Sequence, residues 1–527
     1  MNRKVVSFVS CWLATVVLPL PGASADEFRT PSISAMRVEW RGVLDQLRLE
    51  INARPAIAPG FTFASQRRVP ASDPRSLPAL VQLNAVTSQI FPGIARSPIP
   101  VLLPFDTANY LEARQDGAPA SLSVARYQAD FRPADVFHAG GSGYDAVFSL
   151  EPGAGDAMPP RTFAKPVEVQ ISGSMLVYDL ADRLAGKGEP VKTLAGTFPD
   201  LRRFIREGYV RYAFTRFGIP YVVSIQCLDS VPRPKRLACR EAYPVAERFL
   251  KALRVTGGQP SRPRNDITSD VAERPAAASS DFTYRPSGDI IAGSGARKQG
   301  GHADVTVYSQ IRFPLEQAPA FAHSQSFAKR KAGAPVDEYP WQDNFCEARS
   351  FEVGQCASGY GHQGQDVRPG ACPVDSKDGC DPRQQAVVAV RDSIVIRSQQ
   401  QQAATLQVNT RTEHIRFRYM HMNPTVMDGD GLLNGRRVAE GEKIGVVSNY
   451  LDHPNGTSRH LHFDVQVFTR DGWIWVNPYI TLVSAYERLI RGRGREIGPE
   501  PPAAAAVAHA LPDDVMRNID TQEGGGN

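Results

Sequence analysis

The sequence predicts a multidomain protein in which a mixed α+β domain precedes an all-β domain. The chain has 527 residues, whereas one domain commonly holds about 100 to 200. Residues 256–304 are rich in Pro, Ser, Ala and charge without hydrophobic periodicity, which predicts a flexible linker. Beyond it, short β-prone runs alternate with turn residues, a pattern typical of an all-β domain.

The amino terminus has the pattern of a cleavable secretory signal, predicted over residues 1–25. Arg3 and Lys4 precede an apolar run over 5–20, and the small residues "GASA" end at Ala25. An uncleaved anchor is the alternative, although the run is short for a bilayer that takes about 20 residues. We therefore expect secretion across the inner membrane to the periplasm or cell envelope, with no membrane span after cleavage.

Residues 26–255 are predicted to form the α+β domain, whose role the sequence does not indicate. "AMRVEWRGVLDQLRLEI" has helical spacing, and "GYVRYAFTRFGIPYVVSIQC" predicts two strands joined by a turn. "PVAERFLKALRVTGG" predicts a helix that its glycines end. Residues 493–527 have the composition of the linker and are predicted to be a disordered tail.

Charge and cysteine content narrow the class of protein. The net charge of +5 is not concentrated in a basic stripe with aromatic residues, so we expect no nucleic-acid partner. Without Cys11 of the signal, six cysteines remain, an even number that suits disulfides in an oxidising compartment. Cys227 and Cys239 are predicted to pair. Three connectivities stay open for the remaining cysteines, which are Cys346, Cys356, Cys372 and Cys380.

The run "RHLHFDVQVF" places two histidines at the head of a predicted strand. His460, His462, Asp464 and Gln466 share one face of that strand because side chains alternate. Such a pair also occurs by chance on half-exposed strands. However, six of the ten histidines fall between 362 and 462, and this clustering favours a site.

Two further motifs supply candidate partners for these histidines. In "HIRFRYMHM", alternation places His421 at the end of an apolar row, where we expect it to be sheltered, whereas His414 is expected in solvent, like His453 of a polar loop. "GYGHQGQDVR" offers His362 and Asp366, and His462 would complete a set of three zinc ligands. Three protein ligands leave a fourth position for water, as in catalytic zinc sites.

In their order, "HQGQD", "YMHM" and "HLHFDV" resemble the motifs of the LytM/lysostaphin-type zinc metallopeptidases, which cleave peptides of bacterial peptidoglycan. The resemblance covers roughly residues 310–485, within a predicted peptidase domain at 305–492. It implies a LytM-like β-sheet and sandwich core, a duplicated hybrid motif, with a groove over the metal. It also implies one Zn²⁺ per chain, with His362, Asp366 and His462 as ligands and His421 and His460 as catalytic histidines.

The function predicted on these grounds is an exported zinc metalloendopeptidase that hydrolyses peptide bonds in peptidoglycan cross-links or stems. Either His421 or His460 can be the general base. One alternative is a LytM-like binding or activator module that regulates other cell-wall hydrolases, which would add cell-wall regulatory proteins to the partners. A structural envelope protein with a fortuitous histidine cluster is a further alternative.

Overall fold

The computed structural model describes most of the chain between residues 28 and 498. The described ranges are 28–52, 78–115, 124–151, 166–182, 184–206, 208–227, 237–260, 281–288, 302–323, 340–370, 385–451 and 453–498. The predicted signal at 1–25, Cys372 and Cys380 lie outside these residues, as does most of the predicted linker and tail. No helix in the described ranges is both long enough and apolar enough to cross a membrane.

The described residues are rich in β-strands and contain few helices. The α-helices are α1 (Trp40–Asn52), α2 (Pro78–Thr87), α3 (Thr107–Gln115), α4 (Tyr243–Ala252), α5 (Pro424–Gly429) and α6 (Tyr479–Ile490). The strands of the first half are β1 (Ile33–Ala35), β2 (Val101–Leu103), β3 (Val136–Ala139), β4 (Gly143–Ser149), β5 (Glu168–Ser174), β6 (Leu176–Tyr178), β7 (Glu189–Pro190), β8 (Arg202–Arg206), β9 (Tyr209–Arg216), β10 (Ile219–Gln226) and β11 (Arg254–Gly257). Those of the second half are β12 (Asp281–Tyr284), β13 (Ala320–Ala322), β14 (Gln365–Pro369), β15 (Ala386–Val388), β16 (Ser393–Ile396), β17 (Ala404–Asn409), β18 (His414–Met420), β19 (Arg437–Val438), β20 (Lys443–Val446), β21 (Leu461–Thr469), β22 (Gly472–Val476) and β23 (Arg493–Glu496).

An antiparallel sheet of seven strands organises the first half, in the order β3-β4-β5-β10-β9-β8-β7. One face of this N-terminal sheet is apolar, and α4 buries Phe249 and Leu250 in the same core cluster as Val223 of β10. The combination agrees with the mixed α+β composition predicted for this part of the chain. The helix differs from its prediction in one respect, because it ends at Ala252 and the residues "RVTG" form β11 against β2.

A second sheet organises the C-terminal half, in the order β13-β14-β21-β18-β17-β16-β19, with β22 also paired to β21. All of these pairings are antiparallel. In β21, Leu461, Phe463, Val465 and Val467 are buried in one apolar core. The alternate residues of the strand therefore face the other side of this C-terminal sheet, as the period of two predicts.

Two short strands lie in ranges whose composition predicted no regular structure. β12, inside 256–304, pairs in parallel with β23, at the start of 493–527. Phe282 is 2% exposed, and its ring lies 5.2 Å from that of Trp341 and 5.0 Å from that of Tyr486. The aromatic residues of "DFTY" therefore anchor this segment on the C-terminal core, which the surrounding polar composition did not indicate.

The N-terminal sheet packs on the face of the C-terminal sheet that is opposite the core containing Phe463. Val222 of β10 contacts Phe468 and Trp473 in a small apolar cluster. Around it, the Ser142 hydroxyl donates to the Asn409 side-chain oxygen at 2.7 Å. The backbone segments of the two halves approach closely here: a Cβ added to Gly141 would lie 2.6 Å from the backbone nitrogen of Arg411.

Two disulfides link cysteines within the described residues. Cys227 pairs with Cys239, as predicted, and their Cα atoms lie 4.8 Å apart. Cys346 pairs with Cys356 across a sequence separation of 10. Of the three connectivities that the sequence left open, the second bond agrees with the one that pairs Cys346 with Cys356.

Candidate metal centre

The motif "GYGHQGQDVR" lies between the loop closed by Cys346–Cys356 and the start of β21. Asp366, on β14, is the register partner of His462 on β21. His362 precedes β14 by three residues, in the turn that contains Gly364. A Cβ on Gly364 would lie 2.5 Å from the carbonyl oxygen of Phe463, so only glycine lets this turn pass so near β21.

This arrangement brings three of the predicted residues together in a buried cluster. His362, Asp366 and His462 each offer one ligand atom, and these atoms lie within 4.8 Å of one another. Nε2 of His362 is 3.0 Å from Nδ1 of His462, and Oδ1 of Asp366 is 3.3 Å from the former and 3.4 Å from the latter. Ligands bound to zinc at tetrahedral angles and about 2.1 Å are separated by about 3.4 Å.

The outer nitrogens of these imidazoles indicate where their lone pairs point. Nδ1 of His362 lies 3.0 Å from the carbonyl oxygen of Asn344, and Nε2 of His462 lies 3.3 Å from Oδ2 of Asp464. Each of these nitrogens has an acceptor and therefore carries the proton. The inner nitrogens then direct lone pairs at one another and at the carboxylate of Asp366.

Asp366 supplies the test of whether this cluster suits a cation. Its Oδ1 is buried and accepts no well-formed hydrogen bond within the described chain, although three imidazoles surround it at 3.3–3.4 Å. Burial alone would raise the pKa of Asp366, but His460 and His362 hold that pKa well below its usual range. Converging lone pairs and an ionised, unmatched carboxylate oxygen fit a divalent cation, and the two nitrogens with one oxygen suit zinc.

His421 reaches the same cluster from the end of β18. Alternation along the strand would put its side chain on the core face with Tyr419, but β18 ends at Met420 and His421 has φ of +69°. The left-handed turn carries its ring to 4.7 Å from that of His460. As predicted it is sheltered, with 9% exposure, although the turn rather than the strand alternation places it.

Both of these histidines have the properties of neutral bases. Nδ1 of His421 lies 3.0 Å from the carbonyl oxygen of Tyr450, and Nδ1 of His460 lies 2.7 Å from that of Ser458. These contacts place the proton on Nδ1 and leave Nε2 as the acceptor. Burial lowers the pKa of both histidines, that of His421 well below its usual range, so at neutral pH both rings are neutral and keep a lone pair on Nε2.

Asp464 connects the cluster to groups that the motifs did not single out. Its carboxylate accepts from Arg418 Nε at 2.6 Å and from Trp475 Nε1 at 3.0 Å, besides its contact with His462. Burial would raise the pKa of Asp464, but Arg418 and His462 lower it. Asp464 in turn helps raise the pKa of His462, against the effect of burial. A carboxylate behind a ligating imidazole fixes the tautomer and orientation of the ring.

The structure separates the other histidines of the clustered region from the site. His453 is exposed, as predicted. The prediction for His414 is wrong, because its side chain is fully buried and Nε2 lies 2.8 Å from Oδ2 of Asp145 on the N-terminal sheet. His414 does lie on the expected face of β18, but the N-terminal sheet covers that face.

Arg368 and Gln402 support the site, and the sequence analysis did not identify them. Arg368 donates through Nη1 to the carbonyl oxygen of Arg459 at 2.7 Å and so holds the residue before His460. The side-chain oxygen of Gln402 accepts from the backbone N–H of His421 at 2.5 Å. Arg368 could have been found from its strand position two residues after Asp366, on the same face, whereas Gln402 lies in a loop without such a signal.

Comparisons with known proteins return one distant likeness. A solved structure described as a candidate glycyl-glycine endopeptidase lytM from Ruminococcus gnavus ATCC 29149 aligns with 17% identity and a TM-score of 0.21. The alignment covers 36% of this chain and 63% of that one, less than two thirds of its length. No family model and no curated protein matches the chain.

Proposed function

We propose that this protein is a zinc-dependent endopeptidase that hydrolyses peptide bonds in peptidoglycan cross-links or stems. One observation carries the proposal: the lone pairs of His362, Asp366 and His462 converge, and two further imidazoles adjoin them. Three ligands of this kind leave a position for water, which is the property of a catalytic rather than a structural zinc site. One zinc ion per chain is proposed.

Zinc held by these residues would polarise the scissile carbonyl and lower the pKa of a water molecule. His460, neutral and with Nε2 directed towards Asp366, is proposed to accept the proton of the attacking water. His421 orients that water or donates to the developing oxyanion, and the two roles can be exchanged. Asp464 contacts Nε2 of His462 and thereby leaves Nδ1 as the atom that would hold the metal.

The proposed substrate rests on the order and spacing of the three motifs, "HQGQD", "YMHM" and "HLHFDV", which resemble those of peptidoglycan endopeptidases. The signal-like amino terminus and the two disulfides support export to the periplasm or cell envelope, where peptidoglycan lies. The peptidase region is proposed to span 305–492, with the domain at 26–255 preceding it.

Zinc titration tests the metal site. We expect chelator-treated protein to bind one zinc per chain, measured in competition with a chromophoric chelator. Asp366→Ala and His462→Ala should each weaken zinc binding at least about 100-fold, because two remaining ligands hold the ion poorly. His453→Ala, which removes an exposed imidazole, is the matched control and should bind like the wild type. Equal zinc affinity in all four proteins would refute the site.

Digestion of purified peptidoglycan tests the activity. The zinc-loaded protein should release fragments whose masses identify the bond that was cut, and a chelator should abolish their release. A zinc-loaded wild type that releases no fragments, yet accelerates a separate cell-wall hydrolase, would replace the endopeptidase proposal with the activator module.

A further inference from the structure

A polar pocket lies between the two large sheets, away from the histidine cluster. Its volume is about 30 Å³. Three arginines line it: Arg211 from β9 of the N-terminal sheet, and Arg416 and Arg418 from β18 of the C-terminal sheet. No aspartate or glutamate is among its lining residues. The wall of the pocket therefore presents three guanidinium groups and no carboxylate.

Arg416 is the most deeply placed of these cations. It is 7% exposed, and its guanidinium lies 4.0 Å from the centre of the Trp473 ring. Nε donates to Gln407 at 2.5 Å, and Nη2 donates to Ser172 at 3.2 Å. Among the described residues, no acceptor meets Nη1, which is left to the pocket. A guanidinium nitrogen without a protein acceptor is free to donate to a ligand or to water.

The guanidinium groups of Arg211 and Arg416, from the two sides of the pocket, repel each other. Burial lowers the pKa of Arg416 to about 10, and Arg211 contributes to the lowering although Asp145 opposes it. Arg211 donates through Nη1 to the carbonyl oxygen of Trp473 at 2.6 Å, which fixes its side chain across the interface. A negative charge in the pocket would relieve the repulsion between these two guanidinium groups.

The remaining polar groups of the wall can all donate hydrogen bonds. They are the hydroxyls of Tyr209, Ser224 and Thr405 and the amides of Gln170 and Gln466. The volume accommodates two or three atoms of water size, since one needs about 10–15 Å³. Carboxylate groups have this size, and paired guanidinium groups suit their planar geometry.

We propose that this interdomain pocket, bounded by Arg211, Arg416 and Arg418, is a binding site for a carboxylate group. The ligand accepts hydrogen bonds from Arg416 Nη1 and from the surrounding hydroxyls. The proposal goes beyond the peptidase function and does not depend on it, because the pocket is built from residues other than the candidate metal ligands and catalytic histidines.

The pocket is nevertheless connected to the metal centre. Arg418 borders the pocket and donates to Asp464, whose Oδ2 lies 3.3 Å from Nε2 of His462. A carboxylate bound beside Arg418 competes with Asp464 for that guanidinium. Occupancy of the pocket and metal affinity at His462 are then coupled, and each must affect the other to the same extent.

Calorimetric titration of the zinc-free full chain with sodium formate and sodium acetate tests the proposal. Ionic strength is held constant with a bulky sulfonate buffer. We expect saturable binding of one carboxylate per chain, weakened at least tenfold in Arg211→Gln. Arg202→Gln on the neighbouring strand β8 removes the same charge from an exposed position outside the pocket. It should bind like the wild type. Zinc-free protein keeps the result independent of whether the chain is a peptidase.

Ser224→Ala, a smaller change in the same wall, provides a second test if Arg211→Gln does not fold, and we expect it to weaken binding severalfold. Absence of saturable binding, or equal binding by the wild type and both pocket variants, would overturn the proposal.

A tripeptide with a free carboxyl terminus and its amidated form then distinguish the two sources of the carboxylate, peptide termini and small free acids. Displacement of acetate by the free form alone assigns the site to peptide termini, whereas displacement by neither assigns it to small free acids; both results support a carboxylate site.

Discussion

His421 shows how one backbone torsion creates part of the candidate site. A left-handed conformation costs an L-residue about 1–2 kcal/mol, and histidine is among the residues that tolerate it better. At φ of +69° the ring leaves the core side of β18 and meets His460. The contact of Nδ1 with the Tyr450 carbonyl helps offset the cost. The end of β18 therefore sets where the backbone of His421 lies, and the left-handed turn sets where its imidazole points.

Substitution of either catalytic candidate should separate catalysis from metal binding. His460→Ala and His421→Ala should keep zinc and fold while hydrolysis falls about 100-fold or more, since acid–base groups contribute about 10² to 10⁴. Peptidoglycan cleavage by zinc-loaded proteins measures the loss, and His453→Ala serves as the control. Near-normal cleavage by both zinc-loaded variants would be inconsistent with the proposed roles.

The residues that adjoin one another in the site could be predicted from sequence, whereas most of the groups that support them could not. His362, Asp366 and His462 stood out because their types and spacing suit a metal. Asn344, Tyr450 and Ser458 act through backbone carbonyl oxygens, which every residue has, so side-chain identity carries no signal. His414 was misassigned because its partner, Asp145, lies 269 residues away in the chain.

At the scale of elements, the loop closed by Cys346–Cys356 holds the first candidate ligand. The backbone N–H of Cys346 donates to the carbonyl oxygen of His362 at 2.9 Å, and the N–H of His362 donates to that of Glu347 at 2.8 Å. Asn344, beside the same loop, orients the imidazole of His362. The disulfide therefore restrains the segment that presents His362 to Asp366.

Removing this disulfide should affect the metal site more than the fold. We expect Cys346→Ser with Cys356→Ser to weaken zinc binding about tenfold or more, as loss of outer supports around metal ligands does. The matched control is Cys227→Ser with Cys239→Ser, which should lower unfolding free energy by about 3 kcal/mol and leave zinc affinity unchanged. Zinc titration and denaturant unfolding measure the two effects. Unaltered zinc affinity in the first pair would contradict this role of the loop.

Periodicity predicted β18 and β21 of the C-terminal sheet because one face of each strand is apolar. β18 and β21 alternate as expected, with Phe417 and Phe463 in the same core. The sequence predicted that α4 continues to the glycines of "RVTGG", because Leu253 and Val255 extend the hydrophobic pattern beyond Ala252, where the helix ends. Pairing of Val255 with Leu102 decides in favour of a strand, and that partner is distant in sequence.

Across the whole molecule, buried charges join the two sheets. Asp145 on β4 meets His414 at 2.8 Å and Arg416 at 3.5 Å, both on β18. Burial opposes ionisation of Asp145, but His414 and Arg416 lower its pKa from 3.8 to about 2. The carboxylate is thus more acidic in the folded chain than in the unfolded chain, and its ionisation favours the assembled sheets.

This shift predicts how stability depends on pH. The contribution of Asp145, about 2 kcal/mol by linkage, should be present above pH 3.8 and be lost as the pH falls to about 2. The difference in unfolding free energy between the wild type and Asp145→Asn should therefore shrink over that interval. Asp45→Asn, at an exposed helical position, is the control. A difference that does not change between pH 5 and pH 2 would contradict the assignment.

The parallel pairing of β12 with β23 has a consequence for the topology of the C-terminal half. Asp281 lies opposite Arg493 and Tyr284 lies opposite Glu496, so the segment that enters this half and the segment that leaves it run side by side. Parallel strands share one direction, so the two ends are separated by the length of the pair. In a chain that holds the C-terminal half alone, a short added peptide across that gap would join the end of β23 to the start of β12 and close a ring, and new termini could then open in an exposed loop. Circular permutation could thereby change the order of the C-terminal strands along the chain while every strand pairing is kept.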